Sequence, residues 1–472
     1  MRDPSTFESR FADAVGRFAD LAPVDVEPVS MTLAVTAARA SRPTVRLGAP
    51  FNFSRIAMLV LLMVLVIAAV GAAMIGAGLF RAPIPAVHGV FASTGLMMEM
   101  RIDATATRLP DGRVLIAGGW NQLRTGLAGG ESDVSTRALA TAEIFDPATE
   151  TFSTTGPLIQ ARRDATATLL ADGRVLIAGG FRSAPTADGG EELGEILGSA
   201  EIFDPGTNTF SSVGAMMSTR GFHSATLLQD GTVLLAGGIG RGGEPPTGPG
   251  SGPLDSVESY DPTTQTFRSI GNPMHAGRYQ PTAMLLSDGR VLIVGDEGSL
   301  PLADVFDPTN EGFTAIAATD AGASASSAGI LPDGRVLLIG EGLRTDGTRI
   351  LSPSWQVFDP TTDTFTVLAS GGEFGDVAVP LRDGRILVMG APPPGLGLPV
   401  EPTSQVFDPA TGSIVNVGPM NNLRESGQTA TLLADGRVLV AGGRLGNPQD
   451  IGSTTNPPYT YIALRSAELF EP

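Results

Sequence analysis

The chain has 472 residues, a formal net charge of −18 and 42% hydrophobic residues, with 60 Gly and 36 Pro. This composition is too apolar for disorder and too rich in turn formers for a helical protein, so it favours many short strands. The absence of Cys excludes disulfides, thiolate metal sites and a Cys nucleophile, the absence of Lys excludes a lysine Schiff base, and the acidic balance argues against a nucleic-acid partner.

The chain begins with a short amphipathic pattern. Phe7, Phe11, Phe18 and Leu21 recur at helical spacing, and Pro23 follows them. Residues 5–22 are therefore predicted to form a short helix. It is too short to bury a core, so it docks on a cytosolic partner or rests on the membrane surface. Residues 24–55 are predicted to be a tether that completes a cytosolic segment, 1–55.

Residues 56–80 form a run of 25 residues without a charge. A helix needs about 20 apolar residues to cross a hydrocarbon core of about 30 Å, so this run predicts one transmembrane helix. A buried core helix does not suit a chain rich in strands, and a cleaved signal peptide would start nearer the N-terminus.

Arginines set the predicted orientation of this helix. Four precede it, Arg39, Arg42, Arg46 and Arg55, and Arg81 alone follows it closely. The positive-inside rule puts residues 1–55 in the cytoplasm and everything after the linker 81–88 outside. The predicted location is the cell membrane, as a single-pass protein.

Two signatures alternate through the rest of the chain, seven times each. An Asp-Gly turn followed by an apolar run, as in DGRVLIAGG, begins at Asp111, Asp172, Asp230, Asp288, Asp333, Asp383 and Asp435. A Phe-Asp-Pro signature or a variant follows at Phe145, Phe203, Tyr260, Phe306, Phe358, Phe407 and Phe470. The Asp-Gly turns are 45 to 61 residues apart. Fixed-period similarity of this kind predicts a repeat protein of seven units.

Each unit is predicted to hold four strands. The first strand ends at the Asp-Gly turn, which favours a two-residue hairpin with both central residues at positive φ. The apolar run is the second strand, and the Phe-Asp-Pro segment is the third. The seventh unit ends after Phe470 without a fourth strand, whereas residues 89–96 match 151–158. We therefore expect the strand 89–95 to complete the last unit and leave no unpaired edge.

These repeats resemble those of kelch β-propellers, and residues from about 84 to 472 look similar to the central domain of galactose oxidase. The resemblance implies an all-β fold over 89–472, a seven-bladed kelch-type propeller of four-stranded blades. Galactose-oxidase-like enzymes use a copper centre with His ligands and a Tyr cross-linked to Cys. This chain has no Cys and only His88, His223 and His275, so we expect no copper-radical activity and assign no catalytic residue, cofactor or metal site.

Arginines and acids also follow the repeat. Arg101, Arg162, Arg220 and Arg278 lie ten residues before an Asp-Gly turn, and Glu143, Glu201, Glu258 and Glu468 lie near the Phe-Asp-Pro signature. We expect ion pairs between one unit and the next, namely 143 with 162, 201 with 220, 258 with 278 and 468 with 101. An anionic ligand bound by the arginines is the alternative.

Two features point to binding. His223, His275, Arg278, Tyr279 and Gln280 are expected on one face near the channel mouth, as a ligand face or as packed residues. The segments between second and third strands are long in units one, two, three, six and seven, at 120–141, 181–198, 239–255, 391–403 and 444–465. Loops on a rigid scaffold often carry binding sites, although simple surface insertion is the alternative.

The sequence therefore predicts an extracytoplasmic binding module for an envelope protein or a glycan. A cell-surface hydrolase or lyase that acts on a polysaccharide is a second hypothesis. A sensor that signals to the cytosolic helix is a third. Two carboxylates about 5–10 Å apart in a cleft would favour glycoside cleavage.

Overall fold

The computed structural model describes residues 89–126, 132–183, 194–242, 252–296, 302–317, 324–343, 349–368, 377–390, 403–446 and 461–472. Its regular secondary structure consists of β-strands. The helices predicted at 5–22 and 56–80, the tether and the linker 81–88 lie outside these residues, so they stay predictions. Within the described ranges no helix is long and apolar enough to cross a membrane.

The strands are short and follow the repeats. The first eighteen are β1 (Val90–Ser93), β2 (Thr105–Arg108), β3 (Val114–Ala117), β4 (Trp120–Gly126), β5 (Ser132–Ala138), β6 (Ala142–Asp146), β7 (Thr151–Thr154), β8 (Thr166–Leu169), β9 (Val175–Ala178), β10 (Phe181–Arg182), β11 (Glu195–Ile196), β12 (Ala200–Asp204), β13 (Thr209–Ser212), β14 (Ser218–Gly221), β15 (Ser224–Leu227), β16 (Val233–Ala236), β17 (Ile239–Gly242) and β18 (Gly252–Pro253). The others are β19 (Val257–Asp261), β20 (Thr266–Ile270), β21 (Tyr279–Leu285), β22 (Val291–Asp296), β23 (Leu302–Asp307), β24 (Gly312–Ala317), β25 (Ser324–Ile330), β26 (Val336–Leu343), β27 (Arg349–Asp359), β28 (Thr364–Val367), β29 (Val377–Pro380), β30 (Ile386–Gly390), β31 (Thr403–Asp408), β32 (Ser413–Asn416), β33 (Ser426–Leu432), β34 (Val438–Gly446), β35 (Tyr461–Ala463) and β36 (Ala467–Glu471).

Each repeat unit folds into one antiparallel sheet, numbered 1 to 7 here in the order of the units. In the described part of the chain, these seven main sheets are β2-β3-β6-β7, β8-β9-β12-β13, β15-β16-β19-β20, β21-β22-β23-β24, β25-β26-β27-β28, β29-β30-β31-β32 and β33-β34-β36-β1. Three smaller sheets, β4-β5, β10-β11 and β14-β17-β18, are separate from them. The apolar runs of the second strands are buried, as in VLIA of β3 and β9. Apolar second strands therefore sit at the centre of each sheet.

Sheet 7 takes its outer strand from the start of the propeller segment. β1 pairs antiparallel with β36, with Phe91 opposite Phe470 and Ser93 opposite Glu468. The two phenyl rings lie 5.1 Å apart. The unit that ends at Phe470 thus gains its fourth strand from residues far away in the chain.

The sheets pack face to face around a common centre. First strands contact one another in the order β2, β8, β15, β21, β25, β29, β33 and again β2. Hydrophobic cores lie between neighbouring sheets; for example, Val114 and Ile116 of sheet 1 pack with Leu439 and Leu469 of sheet 7. Burial between sheets, rather than within one, stabilises the arrangement.

The Asp-Gly turn differs from the prediction of a two-residue hairpin. Gly112 has φ 92°, but Asp111 is not left-handed. Gly112 N donates to Leu109 O, and Leu109 N donates to Arg113 O, so the loop has three residues. The Asp111 carboxylate accepts the backbone N–H of Arg113 at 3.0 Å. This bond stabilises a loop that is one residue longer than the predicted one. The residue pair thus forms the bulged three-residue hairpin.

The strand order defines two ends of the propeller. The turns at the Asp-Gly and Asp-Pro signatures form the turn face, and the segments that link one sheet to the next lie on the opposite, connection face. The glycine pairs that follow the apolar runs of the second strands lie close to the backbone of these linking segments. A Cβ at Gly118 would stand 2.5 Å from Arg162 O, and one at Gly119 would stand 2.6 Å from Ile102 O. Both positions therefore need glycine.

Candidate functional site

Five buried arginines lie in the connections that lead into sheets 1, 2, 3, 4 and 7. They form ion pairs of 2.5–3.1 Å, namely Arg101–Glu143, Arg162–Glu201, Arg220–Glu258, Arg278–Asp304 and Arg424–Glu468. Burial lowers the pKa of the Arg220 guanidinium, and the charge of Glu258 opposes that shift. Because arginine keeps its charge even so, each buried carboxylate is needed as its counter-ion.

The predicted pairing between consecutive units was wrong. Arg162 binds Glu201 of its own unit rather than Glu143, and Glu468 binds Arg424 rather than Arg101. The connection that carries each arginine already lies over the sheet that follows it. The side chain therefore runs along that sheet; Arg162 Nη1 also donates to Gly179 O at 2.7 Å.

Each acid also accepts hydrogen bonds from the backbone of the connection. Glu201 accepts the backbone N–H groups of Ile159 at 2.7 Å and Gln160 at 3.0 Å. The same pattern joins Glu143 to Met98 and Glu99, and Glu258 to Met217 and Ser218. The pairs are thus structural clamps, in which each guanidinium is already bound to a buried carboxylate.

Sheet 4 carries a variant of this clamp. The acid is Asp304, one methylene shorter than Glu, and it accepts a hydrogen bond from His275 Nδ1 at 2.6 Å and from Arg278 at 2.5 Å. The imidazole N–H thus binds the acid of sheet 4 in the way that a backbone N–H binds the acid in sheets 1 to 3. Asp304 is fully buried, whereas the His275 side chain remains 45% exposed.

The first strands begin on the connection face, around its centre. We call this central part of the connection face the mouth. Asp103, Asp164, Phe222, Gln280 and Gly427 occupy equivalent positions there, all with φ between 47° and 72°. Phe222 N donates to Asp164 O at 3.2 Å, and Asp103 N donates to Gly427 O at 3.0 Å. Left-handed backbone is costly for a residue such as Phe222 and is often found at functional sites.

A group of polar and aromatic side chains gathers at the mouth on sheets 1 to 4. The mouth cluster comprises Asp103, Trp120, Arg163, Asp164, Phe222 and Tyr279. Phe222 and Tyr279 meet edge to face at 5.3 Å. Burial, followed by the charges of Asp164 and Asp103, raises the pKa of the Tyr279 phenol, and Arg163 opposes this. The Tyr279 side chain of sheet 4 therefore lies within electrostatic reach of charges on sheets 1 and 2.

The other half of the mouth cluster is built around Trp120. Its indole N–H donates to Asp103 Oδ2 at 2.9 Å. The Arg163 guanidinium lies 5.6 Å from the centre of the indole ring and 3.6 Å from Asp164 Oδ2. The side chains of Arg163 and Asp164 are 8% and 7% exposed.

His223 lies beneath the mouth rather than on its surface. It is buried, and its Nε2 shares a hydrogen bond of 3.0 Å with Thr166 Oγ1 of the neighbouring sheet. Burial, aided by Arg220 and Arg162, lowers its pKa to about 3. His223 is therefore a neutral residue wedged between sheets 2 and 3.

The five residues expected on a ligand face thus have different surroundings. Tyr279 belongs to the mouth cluster, and Gln280 is exposed beside it. Arg278 and His275 both bind Asp304, and His223 is enclosed. Sequence reasoning missed Asp103, Trp120, Arg163, Asp164 and Phe222. The sequence signal for four of them was their position in the repeat. Arg163 directly follows a repeated arginine, and Asp103, Asp164 and Phe222 each come two residues after one.

Extensions of the second and third strands rise from the connection face. They comprise β4 with β5, β10 with β11, β17 with β18, and the end of β34 with β35; β14, in the connection into sheet 3, also pairs with β17. Neighbouring extensions touch, since β35 contacts β4, Ala138 N donates to Ser183 Oγ at 3.1 Å, and β11 contacts β14. We call these extensions of sheets 7, 1, 2 and 3 the wall. It borders one side of the mouth.

Sheet 5 has a similar extension that was not singled out from the sequence. Its pairing continues to Leu343 opposite Arg349. Most of the long segment predicted for unit six, 391–403, lies outside the described residues.

The comparisons with known proteins agree with this architecture. A family model of the Kelch motif matches residues 162–217. A fungal alcohol oxidase of the AA5 family, solved in complex with copper, has a similar structure with a TM-score of 0.57 and 18% identity, over 82% of this chain and 77% of that chain. At that identity the similarity concerns the fold alone. No match was found among curated proteins. The fold is a kelch-type β-propeller.

The residues of this chain do not fit the copper centre of galactose-oxidase-like enzymes. There is no Cys for the cross-linked Tyr, His223 is enclosed beside Thr166, and His275 is bound to Asp304. Among the described residues, no three His, Asp or Glu side chains are grouped closely enough to hold one metal ion.

Proposed function

We propose that this chain is a single-pass membrane protein that displays a closed seven-bladed propeller outside the cytoplasm. The propeller binds an envelope protein or a glycan through the wall. In this proposal sheets 1 to 7 are the seven blades. The cyclic order of first-strand contacts and the pairing of β1 with β36 support a closed ring.

The wall is the observation that carries the binding role. Four neighbouring sheets extend on the same face and contact one another, whereas the turn face consists of tight turns. Extended, paired strands present backbone and side chains on a fixed scaffold, which lowers the entropic cost of binding. A Kelch motif is also typical of a protein-interaction module.

Membrane anchoring is supported by the sequence. The uncharged run 56–80 has the length of a transmembrane helix, and the arginines before it favour an N-terminus inside. Eight residues, 81–88, would then separate the helix from the described propeller. A linker of eight residues spans at most about 29 Å, so the propeller stays close to the membrane. Because Val90 lies opposite Glu471, the linker joins the turn face and the wall lies at the other end of the propeller.

Site-specific cross-linking in cells tests the proposed function. The chain has no Cys, so one introduced Cys can carry a photo-crosslinker without background. Arg182→Cys and Ile462→Cys place it on the wall, at side chains with 61% and 46% exposure. Ala148→Cys is the matched control on an exposed position of the turn face.

We expect the full-length wall variants to give discrete cross-linked species of an envelope protein or glycan that the turn-face variant does not give. Equal cross-linking from both faces, or none from the wall, would contradict the proposal.

A further inference from the structure

Arg163 is a buried cation that lacks hydrogen-bond partners. Its residue exposure is 7%, and its Nε is sealed from solvent without an acceptor. The described structure shows no hydrogen bond to its guanidinium. The contacts it does make are the Trp120 ring and the Asp164 carboxylate at 3.6 Å. A guanidinium has five N–H donors in a fork that matches a carboxylate, and unpaired buried donors are costly.

The opposite side of the mouth cluster has groups that suit a cation. Asp103 uses Oδ2 to accept the Trp120 indole N–H. Tyr279 and Phe222 present a pair of aromatic rings at 5.3 Å. Aromatic faces and a carboxylate together attract ammonium groups. Phe222 N donates to Asp164 O at 3.2 Å, so this ring pair adjoins the backbone of the residue that follows Arg163.

The balance of charge decides which ligand fits. Asp103 and Asp164 repel a simple anion, and a simple cation leaves the Arg163 guanidinium without an acceptor. A molecule with both charges satisfies both halves. We propose that the mouth cluster binds a free α-amino acid, with its carboxylate on Arg163 and its ammonium group between Asp103 and the ring of Tyr279. This site goes beyond the binding role of the wall and does not depend on it.

Tryptophan fluorescence provides a local readout. The chain has two Trp residues, and Trp120 lies within the mouth cluster. The full-length protein in detergent is titrated separately with each common non-fluorescent L-α-amino acid. We expect a saturable change with at least one of them. Its deaminated and decarboxylated analogues should bind at least about tenfold more weakly, because each lacks one charge-assisted contact.

Variants locate the site. Arg163→Gln and Asp103→Asn should each weaken binding by at least about tenfold, whereas Arg174→Gln on the turn face should leave it unchanged. Cooperative urea unfolding shows that each variant is folded. The proposal is overturned if no amino acid gives saturation, or if an analogue with a single charge binds as tightly. The titration of the unaltered chain decides this even if a variant fails to fold. Loss of wall cross-linking with intact amino-acid binding would refute the proposed function alone.

Discussion

The buried arginine clamps show how one residue pair fixes a connection. In unit 2, Arg162 is anchored at once to the carboxylate of Glu201 and the carbonyl of Gly179, while Glu201 holds two backbone N–H groups. Units five and six have no arginine at this position, and there the acid is replaced by Gln356 and Gln405. Arginine and acid are thus present or absent together within a unit. That signal was in the sequence, but the predicted pairing compared each acid with the next unit.

Breaking one clamp should be strongly destabilising. Glu201→Gln leaves Arg162 buried without a counter-ion, and we expect a loss of about 3–5 kcal/mol in the free energy of unfolding. The double variant Arg162→Ala with Glu201→Gln copies the residues of unit five and should lose less than this single variant. Urea denaturation measures both.

The control for that experiment is a pair on the turn face. Asp172→Asn removes the ion pair with Arg174 where the acid is 45% exposed, and should cost at most about 1 kcal/mol. Equal losses for Glu201→Gln and Asp172→Asn would show that the buried clamp has no special role.

His223 should make the protein sensitive to acid. Its pKa is about 3 in the folded state and near the ordinary 6.5 when unfolded. Between these values the unfolded chain binds a proton that the folded chain does not, so stability is greatest above pH 6.5 and falls as the pH drops. The expected slope is about 1.4 kcal/mol per pH unit.

The test is His223→Ala, which copies Ala104 and Ala165 at the equivalent positions. From pH 7 to pH 5 the unaltered protein should lose about 2 kcal/mol more than this variant in urea denaturation. Parallel losses in the two proteins would mean that His223 does not titrate on unfolding.

Among the elements, β1 supplies the fourth strand of sheet 7 with only four residues. It joins the beginning of the propeller segment to β36, and Phe91 fills the core against Phe470. Phe152 has the equivalent place in sheet 1, 5.0 Å from Phe145. The sequence match between 89–96 and 151–158 reflects this shared packing role.

Phe91→Ala should therefore cost about 3–5 kcal/mol in the free energy of unfolding, as expected for the loss of a buried ring. Val90→Ala in the same strand is the control, because Val90 is 60% exposed. Hydrogen exchange of the β36 amides should accelerate in Phe91→Ala alone. If both variants unfold at the same urea concentration, β1 does not hold sheet 7 together.

Some features of the elements could not be obtained from the sequence. The Asp-Gly pair gave the position of each hairpin but not its three-residue loop, because that loop depends on a side-chain bond from Asp111 to Arg113 N. The long segments between second and third strands predicted a binding surface, but the strand pairing within it depends on contacts between neighbouring units. The mouth cluster was missed because its members repeat in position and differ in residue type.

At the scale of the whole molecule, the repeats were sufficient to predict a kelch-type propeller. Seven turns, seven third strands and apolar second strands specify the sheets, because each step is local and recurs. The ligand could not be predicted in the same way. Binding residues are the positions at which units differ, so the repeat gives them no pattern.

The whole chain should lack copper-radical oxidase activity. The fold resembles that of a copper-containing alcohol oxidase, but the chain has no Cys for a cross-linked Tyr. Purified protein incubated with copper and galactose or glyoxal should produce no hydrogen peroxide above a copper blank. A copper-dependent peroxide signal that follows the protein concentration would contradict this.

The most direct test of the account is the labelling of single cysteines in intact cells with a membrane-impermeant maleimide. We propose that the wall faces the outside while the N-terminal segment is cytoplasmic. Because the chain has no Cys, Arg182→Cys reports on the wall and Ser5→Cys on the N-terminal segment. We predict that Arg182→Cys is labelled in intact cells and that Ser5→Cys is labelled only after lysis. Labelling of Ser5→Cys in intact cells, with Arg182→Cys protected, would contradict the account.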